Sequence, residues 1–208
     1  MRKIVLSILA FVLSFSYAKD FDKSGFLLGL SAGFNGVENN IKERAVFLPT
    51  MQHSESNFVP VGLRLGYQSF NDSGMLGTRF YVDYSYASAD SKDASIETSQ
   101  SLLGLNLDIL LDVNIPNTES FVGVFAGLNY GFYNFDSKSL LFENSFNGRG
   151  FGYNAGIALT LASKHRIEIF YKALPFKEYN GAFTDALDTY DTNYKMNSIT
   201  GIAYQYNF

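Results

Sequence analysis

The chain has no cysteine and no tryptophan, and only four prolines and two histidines in 208 residues. Without cysteine there are no disulfides, no thiolate metal sites and no thiol to carry a lipid anchor. Two histidines leave little for imidazole chemistry. Charge is sparse and acidic, with 16 Lys and Arg against 20 Asp and Glu, which argues against nucleic-acid binding. Beyond the first eighteen residues no apolar run is long enough to cross a bilayer as a helix, so a membrane crossing would have to be made by strands. What the sequence has in abundance is aromatic: 14 Tyr and 20 Phe.

Residues 1–18 read as a secretory signal. Arg2 and Lys3 are followed by the apolar run Ile4 to Phe15 and by Ser16-Tyr17-Ala18, with small residues at the two positions that set cleavage. Cleavage after Ala18 would leave one domain, residues 19–208, with 14 basic and 20 acidic side chains and a net charge of −6.

That domain contains eight period-two segments, most close to the roughly nine to eleven residues a tilted membrane strand needs. They are 25–34, 59–68, 77–87, 101–113, 121–133, 150–161, 166–173 and 194–208. In the fourth, Leu103, Leu105, Leu107, Ile109 and Leu111 alternate with Gly104, Asn106, Asp108 and Asp112, with Leu110 an apolar exception on the second face. The last segment sets Tyr194, Met196, Ile202, Tyr204, Tyr206 and the terminal Phe208 on one face. An aromatic terminus facing the same way as Tyr204 and Tyr206 calls for apolar surroundings, since chain ends otherwise fray into water.

Three patterns point to a narrow transmembrane barrel. Glycines 29, 33, 62, 66, 104, 123, 127, 131, 152, 156 and 201 all fall on the polar register, as expected where the interior is only just wide enough for side chains. With up-and-down strands, Phe34, Tyr84, Tyr86, Tyr130, Phe132, Phe151, Tyr153, Tyr171 and Tyr194 gather at one rim and Phe26, Tyr67, Phe80, Tyr204, Tyr206 and Phe208 at the other, which makes two aromatic girdles. The connections alternate in length: 70–76, 114–120 and 162–165 are short, whereas 35–58, 88–100, 134–149 and 174–193 are long and read as outer loops.

The closing stretch Ile202-Ala-Tyr-Gln-Tyr-Asn-Phe208 resembles the final strand of bacterial outer-membrane β-barrel proteins, and the chain as a whole is similar to small eight-stranded barrels of the OmpA transmembrane-domain and OmpX type. The resemblance implies an all-β, antiparallel up-and-down barrel of eight strands in the outer membrane. It also implies that Tyr204, Tyr206 and Phe208 form the signal read by the barrel-assembly machinery. Outer-membrane lipid and lipopolysaccharide are the expected surroundings, and a monomer the expected state.

The polar register places Arg64, Arg79, Asp83, Asp108, Glu168 and Lys172 in the lumen, where charges are costly unless paired. Folding the second and third segments about their short turn sets Arg64 opposite Asp83, the expected ion pair; Arg79 is expected with Asp112 or Asp108, and Glu168 with a basic neighbour. Such a set is either a static plug or a gate whose salt bridge exchanges partners, a behaviour implied by the OmpA resemblance. In the outer loops, Phe47 and Leu48, with Phe176, Tyr179, Phe183 and Tyr190, form a candidate surface for a host or cell-surface ligand. His53, Ser54 and Glu55 do not reproduce the His and Ser two apart of lipid A-modifying barrels. Asp185, Asp188 and Asp191 lack the Gly and Glu of a calcium loop. The sequence therefore predicts a non-enzymatic surface protein without metal or cofactor, acting in envelope integrity or adhesion, with a narrow channel gated by lumenal salt bridges as the alternative and a lipid A-modifying enzyme as the third reading.

Overall fold

A computed structural model describes residues 23–43, 51–91, 96–138, 143–174, 178–184, 189–196 and 198–208. The stretch read as a signal, residues 1–18, lies outside the described residues.

Eleven strands occur in chain order: β1 Gly25–Glu43, β2 Met51–Phe58, β3 Val61–Phe70, β4 Leu76–Ser91, β5 Ile96–Asn114, β6 Phe121–Lys138, β7 Glu143–Leu161, β8 His165–Lys172, β9 Glu178–Thr184, β10 Thr189–Met196 and β11 Ile199–Asn207. Eight of them close a barrel in the order β11-β8-β7-β6-β5-β4-β3-β1, with β1 antiparallel to β11 at the seam. Closure leaves no open edge at membrane depth, where an unpaired backbone amide finds no water. Phe208 N–H bonds the Phe26 carbonyl at 2.8 Å, which ties the chain end into the seam. Gly25, at φ 150°, lets the Phe208 carbonyl approach closer than a Cβ would allow.

Alternation has sorted the side chains as the period-two pattern predicts. Leu28, Leu30, Leu63, Leu65, Leu105, Leu107, Ile109, Val122, Val124, Ile157, Ile169 and Ile202 face outward and are exposed, while Leu27, Arg79, Asp108 and Glu168 are fully buried inside. A soluble protein with this inversion would not be stable in water; in lipid it is the expected arrangement. Both girdles form contacts: Tyr130 lies 4.9 Å from Phe151 at the outer rim, and Phe26 lies 5.3 Å from Tyr67 and Tyr206 5.0 Å from Phe208 at the inner rim. The three short turns hold Gly74, Asn117, Ala162 and Ser163 at positive φ.

The long connections differ from expectation. Much of what reads as loop is strand, because β1, β5 and β7 each run 19 residues. At about 3.3 Å per residue, 19 residues run about 60 Å, or about 45 Å of height at a ~40° tilt, against an apolar band of ~25 Å. The extra length lies outside the membrane. Its residues, such as Asn39, Asn40 and Ser54 to Asn57, are polar without alternation, so no hydropathy period marks them.

Outside the membrane the wall divides. β2 continues the register of β3 along β1, with Ala32 opposite Val61 and Asn35 opposite Phe58, across the break at Val59-Pro60. β10 takes over from β11 along β1, but with one extra residue: Phe34 faces Thr200, whereas Val37 faces Met196. This slip corrects the expected single closing strand. It puts Tyr194 and Met196 on the register opposite to that of Ile202 and Tyr204, since a one-residue shift reverses the faces. Among the described residues β2 does not pair with β4, nor β9 with β7. Two sheets therefore rise above the barrel, β2-β1-β10-β9 and the upper parts of β4-β5-β6-β7.

Glycines on the inner register let neighbouring strands and polar groups crowd together. A Cβ at Gly66 would meet the Phe80 carbonyl and the Tyr81 Cβ. Replacing Gly66 with Val is expected to destabilise the refolded barrel by about 1–3 kcal/mol, the usual cost of overpacking, whereas Leu65→Val on the lipid face should cost less. Urea unfolding from lipid vesicles measures both; equal costs would contradict the assignment of faces.

Candidate functional site in the barrel lumen

Each spanning strand delivers an inward polar residue every second position, and in an eight-stranded barrel these meet across the axis. Glu168 on β8 is the hub. Its Oε1 accepts from Arg79 Nη1 at 2.6 Å and Arg166 Nε at 2.8 Å, and its Oε2 from Arg64 Nη1 at 2.9 Å. Arg79 also grips Asp108 Oδ2 through Nη2 at 2.6 Å and Nε at 3.1 Å. Toward the periplasmic end, Arg166 Nη1 bonds Asp112 Oδ2 at 2.9 Å, and Asp112 also takes the Lys23 ammonium at 2.6 Å. Toward the outer side, Lys172 Nζ sits 2.5 Å from Asp83 Oδ2, Asn106 donates to Asp83 Oδ1 at 2.6 Å, and Asn154 joins Asn106 at 3.0 Å and Asp108 at 3.3 Å. All nine charged groups are buried, and one connected network spans the lumen.

Aromatic rings complete it. The Tyr81 ring lies 4.8 Å from the Arg79 guanidinium and 5.4 Å from that of Arg64, and the Phe125 and Phe170 rings lie 4.9 Å from Arg79 and 4.5 Å from Arg64. Lys23, just before β1, lies 3.7 Å from the centre of the Phe121 ring and 4.0 Å from that of Phe70. Burial holds its ammonium below the ordinary lysine range, against the upward pull of Asp112.

Above the charges, Asn35 and Gln100 exchange hydrogen bonds at 3.1 and 2.7 Å, and the Tyr133 hydroxyl bonds Gln100 at 2.7 Å. Around them lies an apolar cluster that includes Phe58, in register with Asn35, and Ala87 and Phe135, in register with Gln100, together with Leu102, Leu174 and Ile199. Phe58 meets Phe135 edge to face at 6.4 Å, which joins the two outer sheets at their base.

The structure brings together all six lumenal charges singled out from the sequence and corrects one pairing. Arg64 and Asp83 are cross-strand partners, yet they do not pair: Arg64 crosses to Glu168 and Asp83 takes Lys172. The arginine side chain is long enough to pass its short neighbour and reach the far wall. Gly104 beside Asp83, where a Cβ would lie 3.0 Å from the Lys172 nitrogen, leaves the space for Lys172. Arg79 pairs with Asp108 and not with Asp112. Sequence reasoning left Arg166 and Asp112 outside the central set, although both lie on the polar register, and it overlooked Lys23. Continuing that register two residues before Gly25 finds it.

Of the candidate ligand surface, Phe47, Leu48 and Phe176 lie outside the described residues. Tyr179 and Phe183 belong to β9 and Tyr190 to β10, where the register sets Phe183 opposite Tyr190 and Tyr179 opposite Tyr194. His53 and Glu55 share one register of β2 and Ser54 the other. Residues 53–55 are thus strand, which corrects the loop reading. Among the described residues no group of three His, Cys, Asp or Glu side chains is arranged to hold a metal ion. At the inner rim, the Tyr204 hydroxyl bonds His165 Nδ1 at 2.7 Å, the Tyr206 ring meets His165 edge to face, and Phe208 meets Tyr206 in the same way.

A family model described as the outer membrane protein beta-barrel domain matches residues 5–208. No curated protein matches the chain at a significant level. Among solved structures, Neisserial surface protein A aligns over 88% of this chain and 97% of its own, with 12% identity and a TM-score of 0.48. OprG from Pseudomonas aeruginosa aligns over 91% and 100%, with 11% identity and a TM-score of 0.47. Ail, the attachment invasion locus protein of Yersinia pestis, solved with the heparin analogue sucrose octasulfate, aligns over 87% and 99%, with 13% identity and a TM-score of 0.44.

The network makes Glu168 the costliest charge to remove. Glu168→Gln would leave three guanidiniums facing one another and is expected to cost about 3–5 kcal/mol, as for breaking a buried ion pair. Asp83→Asn, which releases one ammonium at the network's edge, should cost less. The unfolding midpoints of the two refolded variants in urea measure the difference, and a Glu168→Gln barrel as stable as the parent would contradict the hub.

Proposed function

The chain belongs to the outer membrane protein β-barrel family and lies in the bacterial outer membrane, and from that premise we propose that it is a non-enzymatic surface protein: a sealed barrel that anchors two extracellular sheets serving envelope integrity and adhesion. Residues 1–18 would direct export and then be removed, and the terminal Tyr204, Tyr206 and Phe208 would be offered to the barrel-assembly machinery. One observation carries the reading. The lumen is filled from Lys23 to the Phe58–Phe135 cluster, while the strands continue well past the lipid belt. A polypeptide that closes its pore and extends its walls has its accessible chemistry outside. Binding would fall to the β2-β1-β10-β9 sheet, to which Tyr179 and Phe183 of β9 and Tyr190 of β10 belong, with Phe47, Leu48 and Phe176, outside the described residues, as further candidates.

A second reading has one observation in its favour. Arg64 stands in register with Asp83 while bonding Glu168, so two carboxylates lie within its range. Exchange between them would loosen the hub and open a narrow ion path. No lipid A-modifying activity is assigned, since His53 and Ser54 alternate along β2.

The test is to trim the outer sheet and keep the barrel. Residues between Gly36 and Asn57 and between Leu174 and Ser198 are replaced by short turns, and folding is verified by the heat-dependent shift on a gel. Cells displaying the full protein are expected to attach to matrix-coated surfaces or epithelial cells, and cells displaying the trimmed barrel to attach no better than cells without it. Attachment that survives trimming, or none with the full protein, would contradict the adhesive role.

A further inference from the structure

Six buried polar atoms have no hydrogen-bond partner among the described residues: Arg64 Nε, Gln68 Oε1, Arg166 Nη2, Gln205 Nε2 and both amide atoms of Asn207. All but the first belong to the periplasmic end of the lumen. Gln68 lies opposite Gly25, Asn207 opposite Leu27, and Gln205 opposite Arg166. Buried groups of this kind are normally satisfied, and a cluster of exceptions calls for an explanation. Three of the five are donors, carried by the neighbouring strands β8 and β11. Gln205 Oε1 accepts from Arg79 Nη1 at 3.0 Å, and that nitrogen shares Glu168 Oε1 with Arg166 Nε. The Gln205 amide and the Arg166 guanidinium are thus fixed side by side, with Nε2 and Nη2 left over. Asn207 follows two residues along the same face of β11.

Charge points the same way. Among the described residues the buried cations are Lys23, Arg64, Arg79, Arg166 and Lys172, and the buried carboxylates are Asp83, Asp108, Asp112 and Glu168, leaving one positive charge in excess within that set. Lys172 and Asp83 balance each other, so the excess resides in the cluster joined through Glu168 and Asp112, at the end where the donors are unfilled. An uncompensated charge in a narrow, low-dielectric lumen is strongly unfavourable. A water molecule would satisfy the donors and leave the charge; a small anion answers both.

We propose that the barrel binds a monovalent anion, chloride in ordinary media, at Arg166 Nη2, Gln205 Nε2 and Asn207 Nδ2. Gln68 Oε1 and Asn207 Oδ1, as acceptors, are suited to waters of its shell. The anion becomes part of the plug: it neutralises the last cation and links β8 to β11 beside the closing seam. The inference is independent of what the outer sheets bind.

The test uses the refolded full-length barrel. Its unfolding temperature is measured in sodium chloride and in sodium gluconate at equal ionic strength, and crystals grown in bromide are examined for anomalous scattering. A saturable rise in unfolding temperature with chloride is expected, together with a bromide peak within hydrogen-bonding distance of Arg166 Nη2 and Gln205 Nε2. In the double variant Gln205→Met, Asn207→Leu, which retains bulk and removes two donors, the chloride-dependent rise should be lost. Equal unfolding temperatures in the two salts, a rise that persists in the double variant, or bromide crystals without a lumenal peak would each overturn the proposal. Should the double variant fail to fold, the bromide peak in the parent protein decides it.

Discussion

One carboxylate, that of Glu168, is shared by three guanidiniums, and the interior is arranged around that arrangement. Lipid outside requires a closed sheet, and closing eight strands leaves room inside for side chains only. Filling that room with apolar groups would make the chain apolar on both faces. Filling it with charge requires partners from several strands at once, which turns the lumen into a cross-brace. Arg64 and Arg79 come from β3 and β4, and Arg166 comes from the hub's own strand, β8. Through Asp108 and Asp112 the brace reaches β5, and through Lys23 it reaches the segment that enters β1. Strands remote in sequence are thereby held in register by something other than their own ladders.

Glycine makes this packing feasible. Where Asp83, Asp108 and Asp112 press against an adjacent strand they meet Gly104, Gly127 and Gly123, where a Cβ would collide with the carboxylate oxygen. Large inward residues stand beside vacant positions, so the lumen packs as a solid. Above the lipid the constraint is lifted. Water can satisfy backbone edges there, and the wall divides into two sheets whose bases meet through Phe58 and Phe135. The division begins at Pro60 on one side and at the one-residue slip between β10 and β11 on the other.

The parts of the fold legible in the sequence were those where one face meets lipid and the other the lumen. Alternation such as Leu103 to Leu111 against Gly104 to Asp112 requires no tertiary information, and it marked all eight spanning strands and the inward position of every lumenal charge they carry, though not Lys23, which precedes the first of them. Strand length beyond the membrane was hidden, because residues such as Asn39 and Asn40 meet water and leave no hydropathy period. The slip near Ser198 was hidden too, since a bulge changes register without changing composition. Partner choice among the charges failed at Arg64 because sequence separation ranks neighbours along the sheet. In a narrow barrel the far wall is as close as the next strand, and a long arginine reaches it.

The claim that most of the account depends on is that the barrel is sealed. Single-channel recording of the mature refolded protein in a planar bilayer, with folding verified by its heat-dependent shift, tests it most directly. The sealed lumen predicts a silent bilayer across the applied voltage range. Discrete conductance steps from the unaltered barrel, changed in size or frequency when Arg64 or Asp83 is replaced by Ala, would mean that the network exchanges partners and opens, contradicting the plug.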